Sequence, residues 1–543
     1  MNKITHYLQE HLLGEVTASP DVRRHFAHDG SVLQLAPAVV VYPRNENDVR
    51  KTVRFAWQLA ERGKILPVTV RGGGTSTVGS AIGSGIILVL GAHMNRIQEL
   101  NVKKHFMVVQ PGLTYNILEQ VLYFHELFLP PCPVLPSYAT VGGGIATNAV
   151  GERSLKYGAT NHYVKSLRAV LSNGEIIETE PLGKKELNHK LGLQTLEGEI
   201  YRSLDKLLEE NAEFINRGRQ SIKARFGSVG YNLFDVKKNN EFDLAPLLIG
   251  SEGTLGAIVE ATLDIEPFNQ KTALVLISLD ELGDLYEVLP RILELKPSML
   301  DMLNLSAIKQ VKKLNPNQLN DVSLREEAPI HLFVEFDDLK ESDQKKSIAK
   351  LQKIVDKAGA WYEIAKDTNG KERLLKLRDS VSTILIQPQG QARAVPVAED
   401  ICVPVDRLVE FMNKAETVYN EVGLMPAMWG HAGSGVVRMQ PVLDLGQTGD
   451  RQKLFKLQDG LYAAAVQLGG SISAGSGDGR IRAPYISWQY GEELYQLMLQ
   501  VKKIFDPHGI LNPGVKTATL DEVKRLLRTA YDSGRFADHP SRS

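Results

Sequence analysis

The sequence predicts an α+β chain of more than one domain, and three observations carry that prediction. Its 543 residues exceed what one hydrophobic core can serve, so two or three domains are expected. Residues 38–76 read as strand, helix, strand and glycine loop, the opening of an α/β layer. Past Pro267, β-prone runs alternate with charged helical runs, the pattern of a separate α+β unit. The composition, 43% apolar and 23% charged, is that of a soluble protein. A formal net charge of −1 gives no electrostatic footprint for nucleic acid or an anionic membrane. The two cysteines, Cys132 and Cys402, cannot build a disulfide framework, a zinc ribbon or an iron–sulfur cluster. They predict a reducing, cytoplasmic setting. The N-terminal residues lack the long apolar core of a signal peptide. The most apolar run, 86–91, is far shorter than the ~20 residues a membrane span needs, which leaves only peripheral contact with the inner membrane face.

In chain order, residues 2–16 read as an amphipathic helix and 38–42 (AVVVY) as a buried strand. Residues 45–63 open on capping residues and place Val49, Val53, Ala56 and Leu59 on one helical face. Residues 65–71 form a strand that runs into Gly72-Gly73-Gly74. Further strands are expected at 85–90 and 106–110, then a helix capped by Thr114. The stretch from Pro130 to Gly158 holds Gly142, Gly143 and Gly144 in a row, a density that argues against helix because each interior glycine costs about 1 kcal/mol relative to alanine. It reads either as a structural loop or as a backbone surface that another flat, polar body can approach. Asn173-Gly174 between β-prone runs predicts a hairpin. Residues 198–210 read as helix, 220–240 as loop, and 247–265 as a glycine turn followed by an alternating strand.

The glycine loops fit neither familiar phosphate signature. A P-loop needs a lysine and a hydroxyl closing the loop, and no Gly-Lys-Ser/Thr occurs. The dinucleotide fingerprint fails because the sixth positions are Thr77 and Thr147. Three glycine-rich turns remain, at 72–74, 142–144 and 250–256, and their N–H groups would suit a pyrophosphate carried with a large planar ring.

RGGGTS (71–76), TVGGGIATNAVGERSLKYG (140–158), IGSEGTLGAIVEATL (249–263) and FDPHGILNPGVK (505–516), in this order, resemble the FAD-binding proteins of the vanillyl-alcohol oxidase/PCMH superfamily. The likeness is greatest to the branch of D-lactate dehydrogenase, glycolate oxidase and D-2-hydroxyglutarate dehydrogenase. It implies a helical segment at 1–35, a two-subdomain PCMH-type FAD-binding domain at 36–269, and a ferredoxin-like α+β cap of the FAD-linked oxidase C-terminal type at 270–516. The closing segment 480–516 would return to the flavin, ahead of a tail at 517–543. Arg71, Gly72, Gly73, Gly74, Thr75 and Ser76 would hold the pyrophosphate. Pro136, Thr140, Val141, Gly142, Gly143, Thr147, Asn148 and Gly151 would line the flavin and its chain. Glu252, Gly253 and Ile258 would sit around the adenine half, and Asn512 would reach the isoalloxazine. Thr75 stands where covalent relatives carry a histidine, so noncovalent FAD is expected.

The chemistry implied is oxidation of a small hydroxy-carboxylate, with electrons passed to an external quinone, electron-transfer protein or separate iron–sulfur subunit. Arg378 matches the family's carboxylate-binding arginine. The family's metal and base motifs are altered: the first keeps His431 but reads Arg438 in place of the second histidine, and the later one reads Gly475 and Ser476 for the glutamate and histidine. A metal held by His431 alone would lack most of its ligands, and a serine needs a partner to act as base. No metal is therefore expected. Two explanations compete: a rebuilt pocket in which Arg378 and Arg438, with Arg480 or Arg482 as further candidates, bind the anion and His431 is the base, or an FAD-binding electron-transfer or regulatory subunit that has lost hydroxy-acid turnover.

Overall fold

A computed structural model describes residues 2–320, 322, 324–325, 327–382, 384 and 391–530. Residues 531–543 of the expected tail lie outside the described residues.

Among the described residues, three sheets have four strands or more, beside three two-stranded pairs. The first has the order Glu15–Thr17, Val39–Tyr42, Ile86–Val89, Val68–Arg71, parallel except for the first pair. The helix Glu46–Glu61 makes the crossover; Asn45 caps it by accepting from Asp48 N, and Val49, Val53, Ala56 and Ala60 are buried on it. The N-terminal segment is thus not helical throughout: its helix is Asn2–His11, and Glu15–Thr17 joins the sheet, pairing with residues up to Tyr42. The second sheet is antiparallel, in the order Ile97–Asn101, Phe106–Val109, Ala257–Asp264, Val164–Val170, Ile176–Thr179. Its last two strands form the Asn-Gly hairpin, with Gly174 at φ 85°.

The third sheet is antiparallel and runs Trp361–Ile364, Ala273–Leu279, Ile330–Phe336, Met299–Asn304, Met428–His431, Val436–Met439, Ala398–Cys402. Its first four strands, with the helices Leu285–Glu294 and Glu341–Lys357, follow the 4-1-3-2 order of a ferredoxin-like unit; the remaining strands extend it. The segment taken for loop at 220–240 is largely irregular but well anchored, since Val229, Tyr231, Leu233 and Val236 are buried in the core.

The C-terminal return is a strand-like addition to the first sheet. Val68 N donates to Ile510 O at 2.7 Å and Asn512 N to Val68 O at 2.9 Å. Ile510 and Leu511 join the core of Val39, Val41, Ile86 and Leu88. This sets residues 510–512 alongside the strand that leads into the glycine loop after Arg71.

The glycine-rich stretch does form a helix, Val141–Thr147, against the propensity expectation. Thr140 caps it, and Val141 and Ile145 are buried on it. Gly144 lies under the Tyr115 ring, and a Cβ there would strike the phenol oxygen. Close packing, not intrinsic preference, decides this element.

Candidate functional site

The strand Val68–Arg71 ends in Gly72-Gly73-Gly74, where Gly74 takes φ 71° and turns the chain. Arg71 folds beneath the turn: its Nη1 donates to His28 O at 2.7 Å and Ala81 O at 3.0 Å. Above it, the backbone N–H groups of Gly72, Gly73, Gly74, Thr75, Ser76 and Thr77 have no acceptor among the described residues. All of these residues line one cavity. Successive unpaired N–H groups in a turn form a concavity that attracts anions.

The second glycine stretch behaves differently. In the helix Val141–Thr147 and its cap, Val141 N bonds Leu113 O at 2.8 Å, Gly142 N bonds Pro111 O at 2.8 Å, and Gly144 N bonds Thr140 O at 2.9 Å. Gly143 N is taken by Thr140 Oγ1 at 3.2 Å. The N–H groups expected to face a ligand from this stretch are therefore spent inside the protein. What Gly142 and Gly143 present to the cavity, beside Thr140 and Thr147, is a flat surface without side chains.

Glu252, Gly253 and Ile258 also line the cavity. The buried Glu252 carboxylate accepts from Asp478 N at 3.0 Å and Gly479 N at 3.1 Å, and pairs with Lys516 Nζ at 3.2 Å. Asn512 stands behind the wall. It is fully buried, with both amide protons committed at 2.8 Å to Ser80 O and Glu252 O, and its Oδ1 accepting from Thr69. It buckles three cavity segments together and does not face the space between them. Arg71, Pro136, Val141, Asn148 and Gly151 likewise stand outside the lining. Asn148 Oδ1 holds Asn161 N at 2.9 Å, and Gly151 lies so close to Cys132 O that no Cβ would fit.

At its other end the cavity reaches the third sheet, where Arg393, Glu399, Arg438, Gln440, Gly475 and Ser476 form the wall, with Arg528. Arg438 Nη1 donates to Glu399 Oε1 at 3.1 Å and to Glu399 O at 3.2 Å, and Gln440 Nε2 donates to Glu399 Oε2. Burial raises the Glu399 carboxyl, against the opposing pull of Arg438. The Gly475–Ser476 turn is fixed by Asp400, whose Oδ2 accepts both N–H groups at 2.7 Å.

Of the other residues singled out for chemistry, Arg378 and His431 lie away from this lining. Arg378 pairs with Glu152, with Asp379 at 2.8 Å and with Asp301 at 3.9 Å. His431 Nδ1 bonds Asp301 Oδ1 at 2.7 Å, while its buried Nε2 has no partner among the described residues. Among the described residues no three His, Cys, Asp or Glu side chains converge to hold a metal ion. Glu399 went unnoticed in the sequence, although the pair Glu399-Asp400 inside the apolar run VPVAEDICVPV was a signal, since carboxylates buried in a strand must be partnered.

Two family models match the chain: the FAD binding domain over residues 37–180 and the C-terminal domain of FAD linked oxidases over residues 268–515. The D-2-hydroxyglutarate dehydrogenase of Escherichia coli (strain K12) is 33% identical over 95% of this chain and 51% of its own length. The D-lactate dehydrogenase of Archaeoglobus fulgidus is 29% identical over 88% of this chain and 90% of its own length. The chain spans about half the length of the D-2-hydroxyglutarate dehydrogenases it matches. In fold it resembles the 4-ethylphenol oxidase of Gulosibacter chungangensis, with a TM-score of 0.69 at 14% identity over 95% of this chain and 97% of that one. It also resembles p-cresol methylhydroxylase, with a TM-score of 0.69 at 13% identity over 96% of this chain and 97% of that one.

Proposed function

The chain belongs to the FAD-linked oxidases of the PCMH-type superfamily, carrying both their FAD binding domain and their C-terminal domain, and from that premise we propose that it is an FAD-dependent oxidoreductase that converts a small 2-hydroxy-carboxylate to its keto acid. The observation that carries the reading is the row of unpaired N–H groups over residues 72–77, lining one cavity together with Gly142, Gly143 and Gly144. That pairing suits a pyrophosphate joined to a planar ring. Gly72 to Thr77 would hold the pyrophosphate; Gly142, Gly143 and Thr147 would pack along the ring system; Gly253 and Ile258 would close the other side. Bound flavin supplies a two-electron acceptor for the hydrogen on the substrate's α-carbon. Thr75 in the glycine loop, and a lining without His, Cys or Tyr among the described residues, support attachment without a covalent bond.

Arg438 is the residue best suited to the substrate carboxylate, because it borders the cavity with donor capacity to spare and Arg378 does not. The relatives named for D-2-hydroxyglutarate and D-lactate support a hydroxy acid as the substrate class. Electrons leave to an acceptor outside these 543 residues, a quinone, an electron-transfer protein or an iron–sulfur unit, the two cysteines here being too few for a cluster. Both thiols are unpaired, in keeping with a cytoplasmic setting, and no described helix is long and apolar enough to cross a membrane.

The test is the flavin absorption of the purified protein before and after anaerobic addition of D-lactate, glycolate and D-2-hydroxyglutarate. Bleaching by one of them is the expected result. A protein that takes up FAD and is bleached by none would instead favour the subunit role, and one that cannot take up FAD would overturn the cofactor assignment.

A further inference from the structure

Oxidising a hydroxy acid requires an acceptor for the hydroxyl proton, and His431, the histidine first considered for it, lies off the cavity wall. We propose that Glu399 receives this proton while Arg438, beside it, holds the substrate carboxylate, an assignment that rests on the hydroxy-acid reading above. Both residues border the cavity next to the Gly475–Ser476 turn. Arg438 is only 6% exposed, yet its bonds run through Nη1 alone; Nε and Nη2 make no hydrogen bond among the described residues. A guanidinium buried this deeply with an unused donor edge is matched by a planar carboxylate entering from the cavity. The Glu399 oxygens each accept one bond, from Arg438 and from Gln440, so each keeps a lone pair for a hydroxyl. The charged groups that act on Glu399 are Arg438, Asp400 and Arg482, and Arg393 and Arg528 border the same end of the cavity. Burial strengthens its hold on a proton, in the direction that suits a base.

The substrate O–H bond would break with its proton going to Glu399, the α C–H bond would break with its hydrogen and both electrons leaving together as hydride, and the carbon–oxygen single bond would become double; bound flavin would supply the two-electron hydride acceptor. Arg438 would supply the positive charge for the carboxylate.

The test uses the FAD-loaded full chain, with oxalate as a non-oxidisable probe read by the shift it causes in flavin absorption. Arg438→Gln is expected to weaken oxalate at least about 100-fold. Glu399→Gln should bind oxalate several-fold more tightly, because a neighbouring anion is gone, while flavin reduction by the best hydroxy acid falls about 100-fold or more. A structural partner of Arg438 would show the opposite sign for oxalate. The proton step is overturned if Glu399→Gln is reduced at the wild-type rate or binds oxalate no better. Should that variant lose FAD, Glu399→Asp decides: it keeps the charge and displaces the oxygens, so reduction falls with oxalate affinity unchanged, and a wild-type rate overturns the step. A wild type reduced by no hydroxy acid overturns the function proposed above and the proton step with it, whereas a wild type that is reduced alongside an indifferent Glu399→Gln overturns the proton step alone.

Discussion

Arg378 and Arg438 are the same chemical group in opposite circumstances. Arg378 meets Glu152, Asp301 and Asp379, and these acids hold its guanidinium charged above its ordinary range despite the opposing cost of burial. Removing it takes one of two cations from Glu152 and leaves Arg153 Nη1 at 3.3 Å, so the loss should fall short of the about 3–5 kcal/mol of a wholly uncompensated buried pair. Arg378→Met should therefore lower the unfolding free energy by about 1–3 kcal/mol, read from urea unfolding, with the Kd for oxalate in the surviving folded protein little changed. An oxalate affinity that collapses at unchanged stability would reinstate Arg378 as a substrate ligand. The glycine loop offers a second single-residue case. A Cβ at Gly73 would drive into the carbonyl oxygen of Tyr138, a backbone atom that cannot swing aside. Gly73→Ala should thus prise the loop from the segment carrying Thr140 and abolish FAD retention through gel filtration, an outcome that a loop with room to spare would not give.

The helix Val141–Thr147 shows why local pattern stops short of the site. Its glycines predict loop, and the helix exists because Thr140 caps Gly143 N and because Gly144 lets the backbone settle on Tyr115. Both causes belong to packing, which propensity does not contain. Replacing Thr140 by Ala should cost about 1 kcal/mol of stability as a lost cap and weaken FAD as that wall loosens; denaturant unfolding and FAD titration would measure the two effects. Elements with strong periodicity were legible: Glu46–Glu61 from its apolar face, the Asn-Gly hairpin from its turn chemistry, the glycine loop after Val68–Arg71 from residue type. The closing segment's pairing with Val68 and Asn512's task of joining Thr69, Ser80 and Glu252 were not, because the partners lie hundreds of residues apart and nothing in either segment encodes the other's register. Glu399 was hidden for the same reason: its identity was plain, and the cavity beside it was not.

The two family-matched domains meet through charge. Immediately after the glycine helix, Arg153 forks onto Glu335 at 3.1 and 3.3 Å, and Lys156 reaches Asp337 at 2.6 Å, both acids belonging to the third sheet or the turn that leaves it. Lys371 adds a contact to Glu335 at 3.3 Å, and Glu152 faces Arg378. Burial alone would raise the Glu152 carboxyl, but Arg378 and Arg153 outweigh it and hold it down at about 2, and Glu335 is lowered for the same kind of reason. The sign follows from linkage. A carboxyl whose folded pKa lies below its unfolded value of 4.5 contributes stability that is complete above that value and drains away as pH falls toward about 2. The wild type should accordingly lose stability between about pH 4.5 and 2, releasing FAD as the domains part, because the cavity draws its walls from both. Glu152→Gln should start less stable at neutral pH and fall less steeply through that window, since it has no proton to gain there. Urea midpoints for the two proteins at a series of pH values decide the point. Parallel curves would mean that acid opens the molecule somewhere other than this interface.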